Sequence, residues 1–184
     1  MTHPNRKYPR AEFHDYNGGE YFVTVCTKNF AHYLGEIREN RMINTPIGDF
    51  LEDNINNIYK HFADVEIPQY VIMPNHFHLV VSIKGEPEKS CSTNLGVLNK
   101  KARLAVATGR DPTFDTHYNN KLGIVVGSIK AAATRFAHAN GLELVWLPRF
   151  NDHIIRGFHD GNRIHRYIQN NVAQWDIDKF YTPE

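Results

Sequence analysis

The 184-residue sequence predicts an α+β fold, with helices packed on one antiparallel sheet. Two observations carry that expectation. Short runs rich in aromatic and β-branched residues alternate with segments whose apolar residues recur at helical spacing. The two central strand-like runs are joined only by Pro74-Asn75, a turn-forming pair. The hydrophobic content of 41% is enough for a core, no internal repeat is visible, and the length fits one domain over 1–184.

Residues 1–19 are polar and end in Gly18-Gly19, a turn into the first strand, Glu20 to Thr27. Tyr33 to Ile43 adds a shorter, hairpin-like pairing. Thr45-Pro46 then opens a helix, Thr45 as N-cap and Pro46 in the first position. Ile47, Phe50, Leu51, Ile55, Ile58 and Phe62 form its inward stripe. Glu66 to Met73 and His76 to Ile83 read as the next two strands. The stretch 85–120 breaks the rhythm: it is polar, with a short helix expected around Leu95–Ala107, and reads as an insertion. A strong helix follows from Leu122 to Ala139, with Val125, Ile129, Ala132, Phe136 and Ala139 inward, and Gly141 ends it. Val145 and Trp146 to Ile155 read as a strand, and Asp160 to Asn171 as a last helix.

Net charge is +1, so no charged tail announces a partner. Between Lys121 and Asn170, however, seven Lys/Arg stand against three acids. Lys130, Arg135, Arg149 and Arg156 in that half read equally as phosphate contacts and as a solvated face. Cys26 alternates within a strand and reads as a small core residue. Cys91 lies in a polar stretch, so no disulfide framework is expected. The N-terminus has no apolar core of a leader, and no 18-residue apolar run occurs. These features predict a soluble cytoplasmic protein without a membrane partner.

The chemistry concentrates in Tyr70 to Val81. His76 and His78 lie two apart in a strand, so both side chains leave one face, roughly 6.5–7 Å apart along the backbone. Two imidazoles so placed can share a metal ion. On the last helix Ile164 and Ile168 form the core stripe, and beside them Tyr167 and Asn171 are also four apart, on one face. His76, His78 and Asn171 make an N/N/O ligand set with open positions, and Tyr167 stands beside it as a nucleophile. A phenol with its usual pKa of about 10 is a poor nucleophile. It becomes useful when a cation polarises the electrophile, and a phosphodiester suits best, because its oxygens can complete the coordination of Mg²⁺ or Mn²⁺.

Structural readings stand beside these. Tyr167 reads also as an interfacial aromatic with its ring on Ile164 and Ile168, and Asn171 as a helix cap. Asp152 and His153 lie near the site or make a structural hydrogen bond. Trp146 and Phe150 read as core more than as stacking platforms. A zinc hydrolase built on the histidine pair and a non-catalytic DNA-binding protein remain as other function classes.

The run YVIMPNHFHLVV at 70–81 resembles the His-hydrophobic-His motif of single-tyrosine (HUH) transposases, above all the REP-associated tyrosine transposases and the small insertion-sequence transposases related to them. GGEYFVTVCTK at 18–28, WLPRFNDHIIR at 146–156 and RIHRYIQNN at 163–171 resemble that family's first strand, late strand and catalytic helix, in order. The resemblance implies a ferredoxin-like core and a metal-dependent endonuclease and strand transferase acting on single-stranded, hairpin-forming DNA. It implies a 5′-phosphotyrosine intermediate on Tyr167 and a divalent ion, Mg²⁺ or Mn²⁺, on His76, His78 and Asn171. It also implies either a monomer or a homodimer. Two positions depart from the family pattern: Val172 stands where relatives usually have Pro, and Gly157-Phe158-His159 where they usually have acidic residues.

Overall fold

The computed structural model describes residues 16–85 and 120–183. Four strands form an antiparallel sheet: β1 (Gly19–Cys26), β4 (Val65–Met73), β5 (His76–Ile83) and β6 (Asn151–Ile154), in the spatial order β4-β5-β1-β6. A separate two-stranded hairpin pairs β2 (Gly35–Arg38) with β3 (Arg41–Asn44). Its tight turn places Glu39 and Asn40 at φ of 50° and 57°, as the twist of a two-residue hairpin demands. The helices are α1 (Pro46–Asn56), α2 (Lys121–Ala139) and α3 (Gly157–Asn170). The expected α+β class is therefore the observed one. Among the described residues no helix is long and apolar enough to cross a membrane.

The period-2 alternation of β1 and β5 divides the sheet into two chemically different faces. Tyr21, Val23, Val25, Phe77, Leu79 and Val81 are fully buried against α1 and α2 and make the main core. The opposite face carries Phe22, Thr24, Cys26, His76, His78 and Val80. There Val80 packs with Ile164 and Ile168 of α3, together with Phe22, Val71, Ile155 and Tyr167. One face holds the fold and the other holds polar chemistry.

The first helix starts at its expected cap, where the Thr45 hydroxyl accepts from the Gly48 amide at 3.2 Å. At the start of α2 the Asn120 side chain accepts from the Gly123 amide at 2.7 Å. Gly141 follows α2 at φ +67°. Three boundaries differ from the sequence pattern. The first helix stops at Asn56, because Asn57 turns both its backbone N–H (3.1 Å) and its side-chain amide (2.8 Å) onto the Asp53 carbonyl. Ile58 then sits in a short 3₁₀ turn, still buried. The late strand covers only Asn151–Ile154. Trp146 makes an isolated bridge to Thr27, and Pro148, which has no amide hydrogen, stands between the two pairings. Helix α3 begins at Gly157, with Asp160 inside its first turn and its carboxylate taking the Arg156 amide at 3.1 Å. β4 also carries a register shift between Glu66 and Gln69, around Pro68. The short helix expected at Leu95–Ala107, and Cys91, lie outside the described residues.

Two glycines inside helices make opposite predictions. A Cβ at Gly48 would lie 2.2 Å from the Leu34 carbonyl oxygen, whereas one at Gly127 meets nothing within 4 Å. Gly127→Ala is expected to stabilise the protein by about 0.5–1 kcal/mol through helix propensity. Gly48→Ala should cost about 1–3 kcal/mol from the clash. Urea unfolding of the two variants checks the sign of each.

Candidate metal and nucleophile site

His76 and His78 project from β5, the strand hydrogen-bonded on both sides, opposite Cys26 and Thr24 of β1 and Met73 and Val71 of β4. Their ring centroids are 4.7 Å apart and both side chains are completely buried. The i, i+2 reading is thus realised in space. Burial disfavours the protonated imidazole, and for His78 it outweighs the opposing charge of Asp178. It lowers His76 to about 3, with the Lys179 ammonium adding to the effect. His78 also lies well below its ordinary value, through burial first and its neighbour His76 second. Both rings are neutral and carry a lone pair, as a metal ligand must.

Tyr167 comes to the pair from α3. Its hydroxyl is 3.2 Å from Nε2 of His78 and donates to Oδ2 of Asp178 at 3.2 Å. Phe22 stacks on the His78 ring at 5.0 Å and meets the Tyr167 ring edge-on at 5.9 Å, fixing both. Burial first, and the Asp178 carboxylate second, push the Tyr167 phenol up to about 12.

Asn171 lies one residue beyond α3 but keeps helical angles (φ −60°, ψ −46°), so it remains on the Tyr167 face. Its amide donates to the same Asp178 Oδ2 at 3.4 Å. The left-handed cap conformation that would explain Asn171 structurally is not what the backbone adopts. Among the described residues two buried side-chain atoms have no hydrogen-bond partner: Nε2 of His76 and Oδ1 of Asn171. Buried polar atoms are rarely left unpaired, and here both orphans are ligand atoms of the N/N/O set. Each histidine also has its other ring nitrogen engaged, His76 Nδ1 with Asn75 Oδ1 at 2.8 Å and His78 Nδ1 with Thr24 Oγ1 at 2.9 Å. Such outer contacts orient metal-binding imidazoles. The donor set therefore fits a divalent ion. Among the described residues no three His, Cys, Asp or Glu side chains gather to hold a metal.

The segment after α3 covers the site. A 3₁₀ turn (Val172–Ile177) brings Trp175 to 6.1 Å from His76, and the Phe180 ring lies 4.6 Å from His76. Thr182 meets His32 at 2.9 Å, so the strap crosses to the loop after β1. Asn75, Thr24, Phe22, Asp178 and Phe180 were not among the residues singled out from sequence. Phe22 and Thr24 alternate with Cys26 in β1, a signal that puts them on one face. Nothing in the 175–183 pattern marks Asp178 or Phe180.

The basic candidates do not converge on this site. Lys130, half-buried on α2, donates to the Leu147 carbonyl at 2.8 Å and the Pro148 carbonyl at 3.5 Å, an anchor for the segment before β6. It joins exposed Arg135, Thr134 and Phe150 around a groove of about 420 Å³. Arg149 and Arg156 are exposed. His153 pairs with Asp160 at 2.7 Å, and Arg163 with the same carboxylate at 2.8 Å, which holds Asp160 below the usual carboxylate range. This trio ties β6 to α3, the structural alternative for His153. Trp146 gives its indole N–H to Thr134 at 3.1 Å and packs edge-on against Phe77, and Phe150 is buried, both in core roles.

The fold is transposase-like. It is similar, across 100% of this chain and 89% of the other, to the structure of a REP-associated tyrosine transposase bound to a REP hairpin, with a TM-score of 0.50 and 20% identity. A candidate transposase from Deinococcus radiodurans matches 92% of this chain and 97% of its own, at 17% identity and a TM-score of 0.40. No family model matches the sequence. A Haemophilus influenzae protein described only as uncharacterized is 30% identical over 179 residues, 96% of this chain and 93% of that protein. The chain belongs to the same family as that Haemophilus protein.

The neutral histidines set a pH dependence. Their folded pKa values lie below the unfolded value of about 6.5, so unfolding takes up protons as pH falls. Their contribution is complete above about pH 6.5 and is lost as pH falls from there toward the folded value of about 3 for His76. Each should cost about 1.4 kcal/mol per pH unit below pH 6. Urea midpoints of the metal-free protein between pH 6.5 and 5 check this, and His76→Leu/His78→Leu should flatten the slope.

Proposed function

We propose that this protein is a metal-dependent endonuclease and strand transferase that cleaves single-stranded, hairpin-forming DNA through a 5′-phosphotyrosine intermediate. The observation that carries the reading is a half-buried phenol 3.2 Å from one of two converging neutral imidazoles, with the unpartnered His76 Nε2 and Asn171 Oδ1 beside it. Hairpin DNA as the substrate form is supported by the REP hairpin held by the structural neighbour.

His76, His78 and Asn171 would hold Mg²⁺ or Mn²⁺, which supplies Lewis-acid polarisation of the phosphate. The Tyr167 oxygen attacks phosphorus, forming the aryl phosphoester, while the bond from phosphorus to the 3′ oxygen breaks. The phenolic proton passes toward Asp178 Oδ2, its hydrogen-bond acceptor, and the leaving 3′ oxygen takes up a proton to become a free hydroxyl. Reversal of the same step by a new 3′-hydroxyl rejoins strands, because the phosphoester keeps the bond energy. Phe22 holds the Tyr167 and His78 rings in register throughout.

A second reading, a DNA-binding protein without cleavage, is favoured by one feature: the histidines are fully buried and Phe180 lies across them. One gel separates the two. Incubated with a labelled single-stranded hairpin and Mn²⁺, the wild-type protein should form a covalent species that survives denaturation. Tyr167→Phe should abolish it while binding persists, and His76→Ala should reduce it by about 10²-fold or more. Hairpin binding by wild type with no covalent species under either Mn²⁺ or Mg²⁺ would establish the second reading.

A further inference from the structure

Turn residues are ordinarily exposed, yet Asn75, in the turn between β4 and β5, is fully buried. Its backbone carbonyl accepts from the Thr27 amide at 2.9 Å and from the Thr27 hydroxyl at 2.9 Å, which pins the turn to the end of β1. The orientation of its side-chain amide is settled by its neighbours. One end of the amide faces the Phe180 carbonyl at 2.9 Å and Thr182 Oγ1 at 3.2 Å. A carbonyl oxygen only accepts, so the NH₂ group must lie at that end. The amide oxygen is therefore the atom 2.8 Å from Nδ1 of His76, and it too only accepts. The hydrogen between them must come from the imidazole. A neutral imidazole has one N–H, so Nε2 of His76 is left with its lone pair, and that atom has no hydrogen-bond partner in the buried site.

We propose that Asn75 is a positioning residue for His76: its oxygen selects the Nδ1–H tautomer and aims the Nε2 lone pair into the site, while its NH₂ group ties that orientation to the strap at 180–182. The tautomer follows from hydrogen bonding alone. Its consequence for a divalent ion rests on the metal reading above. A turn residue chosen only for backbone shape needs no acceptor aimed at the next side chain. An acceptor aimed at the next side chain makes the identity of residue 75 matter to the lone pair at the far end of the ring.

The test begins with ¹⁵N-histidine-labelled, metal-free protein. Two-bond ¹H–¹⁵N correlation spectra distinguish the two neutral tautomers of His76 directly. Wild type should show Nδ1–H. Asn75→Ala removes the acceptor and should shift His76 to Nε2–H or to a mixture. Asn75→Asp keeps an acceptor toward Nδ1 while giving up the bond to the Phe180 carbonyl, and should retain Nδ1–H. An Nε2–H signal in wild type overturns the proposal without any variant having to fold, and so does an unchanged tautomer in Asn75→Ala. Calorimetric titration with Mn²⁺ is the second readout. Asn75→Ala should bind about 10–100-fold more weakly than wild type, the usual effect of losing a contact behind a metal ligand, and Asn75→Asp should recover most of that loss. Equal Mn²⁺ affinity in wild type and Asn75→Ala overturns the positioning role. Absence of Mn²⁺ binding by wild type, with the Nδ1–H signal present, instead overturns the metal reading and leaves the tautomer assignment standing.

Discussion

Two imidazoles buried side by side inside a sheet are costly to protonate, and the surroundings of the site answer to that constraint. A charged ring there would face both a low-dielectric environment and its neighbour, so the folded protein keeps both neutral. Neutral rings still have one donor and one acceptor each. The engaged nitrogens face Asn75 and Thr24 across short hydrogen bonds, and the remaining nitrogens turn inward. One of those meets Tyr167, and the other meets nothing. That nitrogen and the Asn171 carboxamide oxygen are the buried side-chain atoms left without a partner among the described residues.

The sheet order makes this arrangement rigid on one side and adjustable on the other. β5 is paired along its length with β1 and β4, and the reverse face of those strands forms the main core. Displacing either histidine backbone would disturb that core, and close-packed interiors resist such shifts. Tyr167 and Asn171, by contrast, come from a helix whose buried stripe is only Ile164 and Ile168. The covering strap is held mainly by Asn75, His32 and aromatic contacts. The histidine pair belongs to the strand paired on both sides, whereas Tyr167 and Asn171 stand on a helix joined to the sheet by Ile164, Ile168 and polar contacts at its edges.

This division also explains what could be read from the chain. The alternation in β1 and β5, the Thr45-Pro46 cap and the i, i+4 relation of Tyr167 to Asn171 are local patterns, so the fold class and the shared face of each residue pair were legible from the sequence. Boundaries at Asn57 and Pro148 were not, because a side chain competing for a backbone carbonyl, or a missing amide, acts beneath the hydrophobic period. Asp178 and Phe180 escaped for another reason. They reach the site through the path of the strap, and tertiary placement of an aperiodic segment leaves no repeat to detect. Asn75 was legible as a turn former but not as a partner of His76, since turn propensity says nothing about which way a buried amide faces. The basic residues of the second half looked like one surface in sequence. In space Lys130 is spent on backbone carbonyls and Arg163 on Asp160.

The arrangement around Tyr167 contains a conflict whose resolution bears on mechanism. Asp178 accepts from the phenol, which orients it, but the same negative charge opposes formation of phenolate and helps hold the phenol near 12. In this arrangement the tyrosine is a hydrogen-bond donor, and a weak nucleophile. If His76, His78 and Asn171 hold a divalent cation, as proposed above, its positive charge would reverse the balance. Asp178 would then be the acceptor for the phenolic proton. The carboxylate that suppresses reactivity without the ion would then draw off the proton in its presence. On the proposed function, a phenol of this kind would stay unreactive until a cation and a phosphate were both in place.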